Sequence, residues 1–152
     1  MLRAAGFKKR FFLSVILLNI FILIPQAYPQ DNHYALQYLR RSLECLALGD
    51  FTNAIINSNQ VLRIDPNSAL SLVVRARAYY ELNYYTNAIA DCTQALRIDR
   101  GSSAAYLIRG NAYGQNGDYN RAISDWQAAL RINPELEEAA HNIEVARRQM
   151  NQ

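Results

Sequence analysis

From Ala35 onward, apolar and small side chains recur every third or fourth residue, the spacing that lines one face of an α-helix. Leu72, Ala76 and Tyr79 follow it in one stretch, and Ala88, Ile89, Cys92, Ala95 and Leu96 in the next. Polar breaks separate the stretches: LGDFTN at Leu48 to Asn53, LNYYTN at Leu82 to Asn87, and NGDYNR at Asn116 to Arg121. Gly49 and Gly117 adopt positive φ at little cost, and the Thr and Asn residues of the breaks are expected to cap the helices that follow. The pattern predicts short helices paired as hairpins with tight turns.

The hairpins repeat. LRIDP at Leu62 to Pro66 returns as LRIDR at Leu96 to Arg100 and as LRINP at Leu130 to Pro134, a period of 34 residues. Ala54, Ala88 and Ala122 are each followed by Ile, with Phe51, Tyr85 and Tyr119 three residues before them. Pro66 and Pro134 mark unit boundaries, because proline stops one helix and suits the entry to another. Arg100 takes the proline's place at the second boundary; Gly101, Ser102 and Ser103 supply a turn and cap there, and a slightly looser junction is expected. A unit this short cannot bury its apolar face alone, so the fold is an array of stacked units.

Residue by residue the unit resembles the tetratricopeptide repeat. That family has a bulky fourth residue, a small eighth, Tyr at the eleventh, Ala at the twentieth and twenty-seventh, an aromatic at the twenty-fourth and Pro at the thirty-second. The third unit, 103–136, places Tyr106, Gly110, Tyr113, Ala122, Trp126, Ala129 and Pro134 on these positions. The second, 69–102, keeps Leu72, Ala76, Tyr79, Ala88 and Ala95, with Cys92 for the aromatic and Arg100 for the proline. The first, 35–68, keeps Tyr38, Ser42, Ala54 and Pro66 but has Cys45, Ser58 and Val61 elsewhere. The resemblance implies an all-α, right-handed superhelical array of antiparallel hairpins, in which Gly110 and Ala76 let paired helices approach closely.

Beyond the repeats, Glu137 and Glu138 early and Arg147 and Arg148 late suit the two ends of a helix over 137–149, whose face of Ala139, Ala140, Ile143 and Ala146 caps the last hairpin. At the other end, Arg3, Lys8, Lys9 and Arg10 precede the uncharged 14-residue run Phe11 to Ile24. This is the layout of a signal peptide or signal anchor over 1–30, with Gln26 to His33 as a short tether before a repeat domain at 31–152. It predicts export, with the repeats periplasmic, secreted or membrane-anchored outside the cytoplasm, and membrane association through residues 11–24 if the run is retained.

The leader also accounts for the formal charge of +3: four of the 16 basic residues lie before residue 11, leaving 12 Arg against 13 acidic residues. No lysine follows Lys9, so the folded part has no basic stripe for nucleic acid. About 120 residues allow one continuous helical core and no second domain.

Catalytic chemistry is not legible. His33 and His141 are far apart in sequence and architecture, no phosphate-binding glycine loop occurs, and Cys45 and Cys92 fall on interior positions as small hydrophobes on helices that are not neighbours. No enzyme activity, cofactor, metal site or disulfide is therefore expected. The resemblance implies an inner groove lined by the first helix of each unit, with Leu36, Leu39, Leu43, Val73, Arg77, Tyr80, Leu107 and Asn111 as candidate contacts. The family branch that grips a terminal carboxylate uses Lys and Asn at the fifth and ninth positions, where this chain has Leu39, Leu43, Val73 and Arg77. A module that captures an apolar peptide or helix of a protein partner, in an assembly or scaffolding role, is the expectation. The alternative is a self-associating envelope component in which the Leu face closes a homo-oligomer.

Overall fold

Residues 27–151 are described by the computed structural model, and among them seven α-helices follow one another: α1 Ala27–Ala47, α2 Phe51–Ile64, α3 Ala69–Glu81, α4 Tyr85–Ile98, α5 Ser103–Gln115, α6 Tyr119–Ile132 and α7 Glu137–Met150. The apolar run from Phe11 to Ile24 lies outside the described residues. The stretch expected as a tether is helical from Ala27 on, since it contains no glycine and Pro29 sits in the first turn, where a missing N–H costs nothing. Each helix from α2 onward packs on the next; α3 also meets α5, and α5 meets α7. This is a solenoid of paired antiparallel helices.

The hairpin turns share one geometry. Gly49, Asn83 and Gly117 have φ of 75°, 63° and 78°. The next residue's N–H reaches back to the preceding helix: Asp50 to the Cys45 carbonyl at 2.8 Å, Tyr84 to Tyr79 at 2.8 Å and Asp118 to Tyr113 at 2.9 Å. The caps differ from those expected. The side chains of Asp50 and Asp118 cap α2 and α6, each accepting from the backbone N–H three residues on at 3.1 Å, while Tyr84 before α4 makes no side-chain cap bond. Hydrogen bonds from the Asn53 and Arg121 side chains, reinforced by those backbone bonds, hold the two carboxyls below their ordinary range.

Between units, Asp65, Asp99 and Asn133 adopt nearly the same extended backbone, with φ of −127°, −128° and −129° and ψ of 93°, 100° and 98°. Each side-chain oxygen accepts from the backbone N–H two residues on, at 3.0 Å from Asn67, 2.8 Å from Gly101 and 3.1 Å from Glu135. The second junction is no looser than the others, because this Asx turn shapes all three and the proline is incidental. Ser102 completes it, capping α5 by accepting from Ala105 N–H at 3.3 Å.

The core consists mainly of small residues. Ala54, Ala88 and Ala122, and Ala76, Ala95 and Ala129, have no exposed surface, and Leu72, Cys92 and Trp126 fill the spaces between them. Cys92 is buried against Ala76 and Ile108, and desolvation pushes its thiol pKa up to about 12. Cys45 is half-buried, and both cysteines are free. Gly110 lets α5 and α6 close together: a Cβ there would lie 2.8 Å from Trp126 Cδ1.

One polar element runs through this core. Arg75 on α3 forks onto Asp91 on α4 with two bonds of 2.7 Å, and its third nitrogen donates to Asn59 on α2 at 2.6 Å. One period on, Arg109 on α5 forks onto Asp125 on α6 with two bonds of 2.8 Å and donates to Thr93 on α4 at 3.2 Å. Each arginine thus closes its own hairpin and bridges to the one before it. The carboxylates are only 9% exposed, so the fork supplies the polar partners that burial demands.

Candidate partner-binding face

The first helix of each hairpin turns one face to the core and the other outward. On α1, Ala35 and Ser42 are buried whereas Leu36 is 65% exposed and Leu43 40%, with Leu39 half-buried between them. On α3, Leu72 and Ala76 are buried, Leu70 is 51% exposed and Val73 is half-buried. Leu36 and Leu70, and Leu39 and Val73, are equivalent positions one period apart, so successive helices present the same apolar strip. Further along α3, Arg77 donates to Glu81 at 2.6 Å, a pair that neutralises the one cation the strip offers. Tyr80 is half-buried, its ring 5.7 Å from that of Tyr85, and burial raises its pKa against an opposing hydrogen bond with Gln115.

Leu107 and Asn111 do not continue the exposed aliphatic strip. Leu107 is only 8% exposed and packs in the core with Trp126, Ala139 and Ile143. Asn111, 5% exposed, is spent on internal bonds: its oxygen accepts from Trp126 Nε1 at 2.8 Å and Asn142 Nδ2 at 3.0 Å, and its amide donates to Glu138 Oε1 at 2.8 Å. The reason is α7, which packs on α6 and α5 and covers the face of α5 that was expected to be free. A buried indole N–H needs an acceptor, and that requirement is the signal by which Asn111 could have been assigned to Trp126 from sequence.

Where α7 leaves α5, a pocket of about 480 Å³ opens. Buried Trp126, Asn111 and Ala146 form its floor, and Tyr80, Gln115, Tyr119, Glu138 and Gln149 stand around it. Glu138 is the only charged one among the described residues lining it. Among the described residues, no group of His, Cys, Asp and Glu is placed to hold a metal.

The arrangement matches known proteins at the level of family and fold. The tetratricopeptide repeat family matches residues 38–68, 69–102 and 103–136. Among curated proteins no sequence matches significantly. Three solved structures illustrate the likeness. The second TPR domain of human RPAP3, solved with the HSP70 peptide SGPTIEEVD, is 27% identical, with a TM-score of 0.72 over 77% of this chain and 98% of that one. The second TPR of Spaghetti (RPAP3), bound to the HSP90 peptide SRMEEVD, is 30% identical, with a TM-score of 0.65 over 68% of this chain and 96% of that one. The yeast Sti1 TPR2B domain, in a pHsp70 complex, shares the fold at 24% identity, with a TM-score of 0.72 over 77% and 98% of the two chains.

The expectation that the repeats are exported or anchored outside the cytoplasm is corrected by these relatives, the RPAP3 domains having been solved with HSP70 and HSP90 peptides. No helix of the described residues is long and apolar enough to cross a membrane.

Proposed function

The chain belongs to the tetratricopeptide repeat family, and from that premise we propose that it is a non-catalytic interaction module whose α1 and α3 face takes an apolar segment of a protein partner. The contacts are Leu36, Leu39, Leu43 and Val73, with Arg77 and Tyr80 at the end of the strip. One observation carries the reading: large aliphatic side chains stay exposed on helices whose opposite faces are fully packed, with Leu36 at 65% and Leu43 at 40%. The related domains hold peptides ending in EEVD. Here the positions that would meet a terminal carboxylate are aliphatic, and Arg77 is engaged by Glu81, which supports an apolar ligand over an acidic tail.

Selection of binders from a random peptide library displayed against the full chain tests this. Enrichment of Leu, Ile, Val or Phe at helical spacing is the expected result. Enrichment of acidic sequences with a required free carboxyl terminus would contradict it. The same exposed leucines favour a second reading, isologous pairing of two copies through α1, for which sedimentation at tens of micromolar should show a concentration-dependent dimer.

A further inference from the structure

The pocket between α3, α5 and α7 has a chemistry unlike that of the aliphatic strip. Among the described residues, its only charged lining residue is the carboxylate of Glu138. Tyr80, Tyr119 and Trp126 line it, and Gln115 and Asn142 add side-chain amides whose oxygens accept hydrogen bonds. A carboxylate among aromatic rings is complementary to an organic cation, through charge and, where a ring face is reached, cation–π attraction. An acidic group would meet the like charge of Glu138, with neutral amides and hydroxyls and no cation in the lining to offset it. Asn111 at the floor already has its oxygen and amide engaged, so the groups left for a ligand are those on the rim.

We infer that this pocket receives a basic side chain, Arg or Lys, from the partner segment bound along the α1 and α3 strip. The inference rests on the groove reading above and adds a specificity to it: an apolar segment with one cation toward its α7 end. Tyr80 ends the strip and borders the pocket, so one extended or helical segment reaches both.

Trp126 is the only tryptophan in the chain, so its indole N–H resonance is a local reporter of the pocket. We would titrate the full chain with N-acetyl-arginine amide, with the neutral isostere N-acetyl-citrulline amide and with N-acetyl-glutamate amide. The arginine derivative is expected to shift the indole resonance saturably, with citrulline at least about tenfold weaker and glutamate without effect. Glu138→Gln keeps an acceptor for the Asn111 amide while removing the charge, and should abolish the preference for arginine over citrulline without moving the resting indole signal. Equal response to arginine and citrulline, no response up to tens of millimolar, or a preference that survives Glu138→Gln overturns the inference. The two readings fail separately: serine substitutions on the α1 and α3 strip test the groove and leave this titration intact.

Discussion

At Gly110 one added carbon decides whether the third hairpin closes. A Cβ would stand 2.8 Å from both Trp126 Cδ1 and Nε1 and 3.2 Å from the Ala122 carbonyl oxygen, and a ring bonded to Asn111 at 2.8 Å cannot swing away cheaply. Gly110→Val is expected to lose about 1–3 kcal/mol by overpacking, against a helix-propensity gain of a few tenths; an unchanged urea midpoint would contradict this. Cys92 gives a second prediction. Its folded pKa of about 12 lies above the ordinary 9.0, so between these values the native state keeps a proton that the unfolded chain releases, and stability falls as pH rises. The alkaline loss should be steeper in the native sequence than in Cys92→Ala by up to about 1.4 kcal/mol per pH unit. Both residues were legible in the sequence, because their repeat positions face the neighbouring helix. Leu107 and Asn111 were not: they occupy the register of Leu39 and Leu43 two periods on, and only the packing of α7 separates their fates.

Among the elements, the helices and their hairpin turns are legible in the 34-residue period, whereas the uniform geometry of the junctions is not. Proline looked like the punctuation, yet Asp65, Asp99 and Asn133 make the same turn whether Pro66, Arg100 or Pro134 follows. Asp99 already has the extended backbone that a following proline requires. Arg100→Pro should therefore raise stability by about 0.4–1 kcal/mol through the unfolded state, read as a higher melting temperature. A lower one would mean that the second junction differs from the other two. The caps were misplaced for a related reason: Asp50 and Asp118 stand directly after the turn glycines and so read as turn residues, although their side chains start α2 and α6.

Across the whole repeat array, the arginine forks tie hairpin to hairpin. Arg75 with Asp91 and Arg109 with Asp125 recur at the same period as the leucines and alanines, so the signal was present, but sequence alone does not show which face of a helix a neighbour covers. Removing one partner leaves a buried charge unpaired, and Asp125→Ala should cost about 3–5 kcal/mol, whereas Arg109→Met with Asp125→Leu should be near neutral. Equal losses in the two variants by denaturant titration would assign the cost to packing instead of charge. An array is stabilised through nearest-neighbour interfaces, and the forks supply such ties from α3 to α2 and from α5 to α4.

That surface is the centre of the account, and the most direct measurement of it is the affinity of a library-selected apolar peptide for the native chain and for Leu39→Ser, Leu43→Ser, Val73→Ser combined, each first shown to melt cooperatively. None of the three side chains is fully buried, so the folded array should survive the change. Binding is predicted to weaken at least about tenfold, the loss of one to two well-packed aliphatic contacts, while the EEVD-ending peptides SGPTIEEVD and SRMEEVD bind neither protein better than scrambled controls. Undiminished affinity of the triple variant, or carboxylate-dependent binding of those tails, would contradict the account.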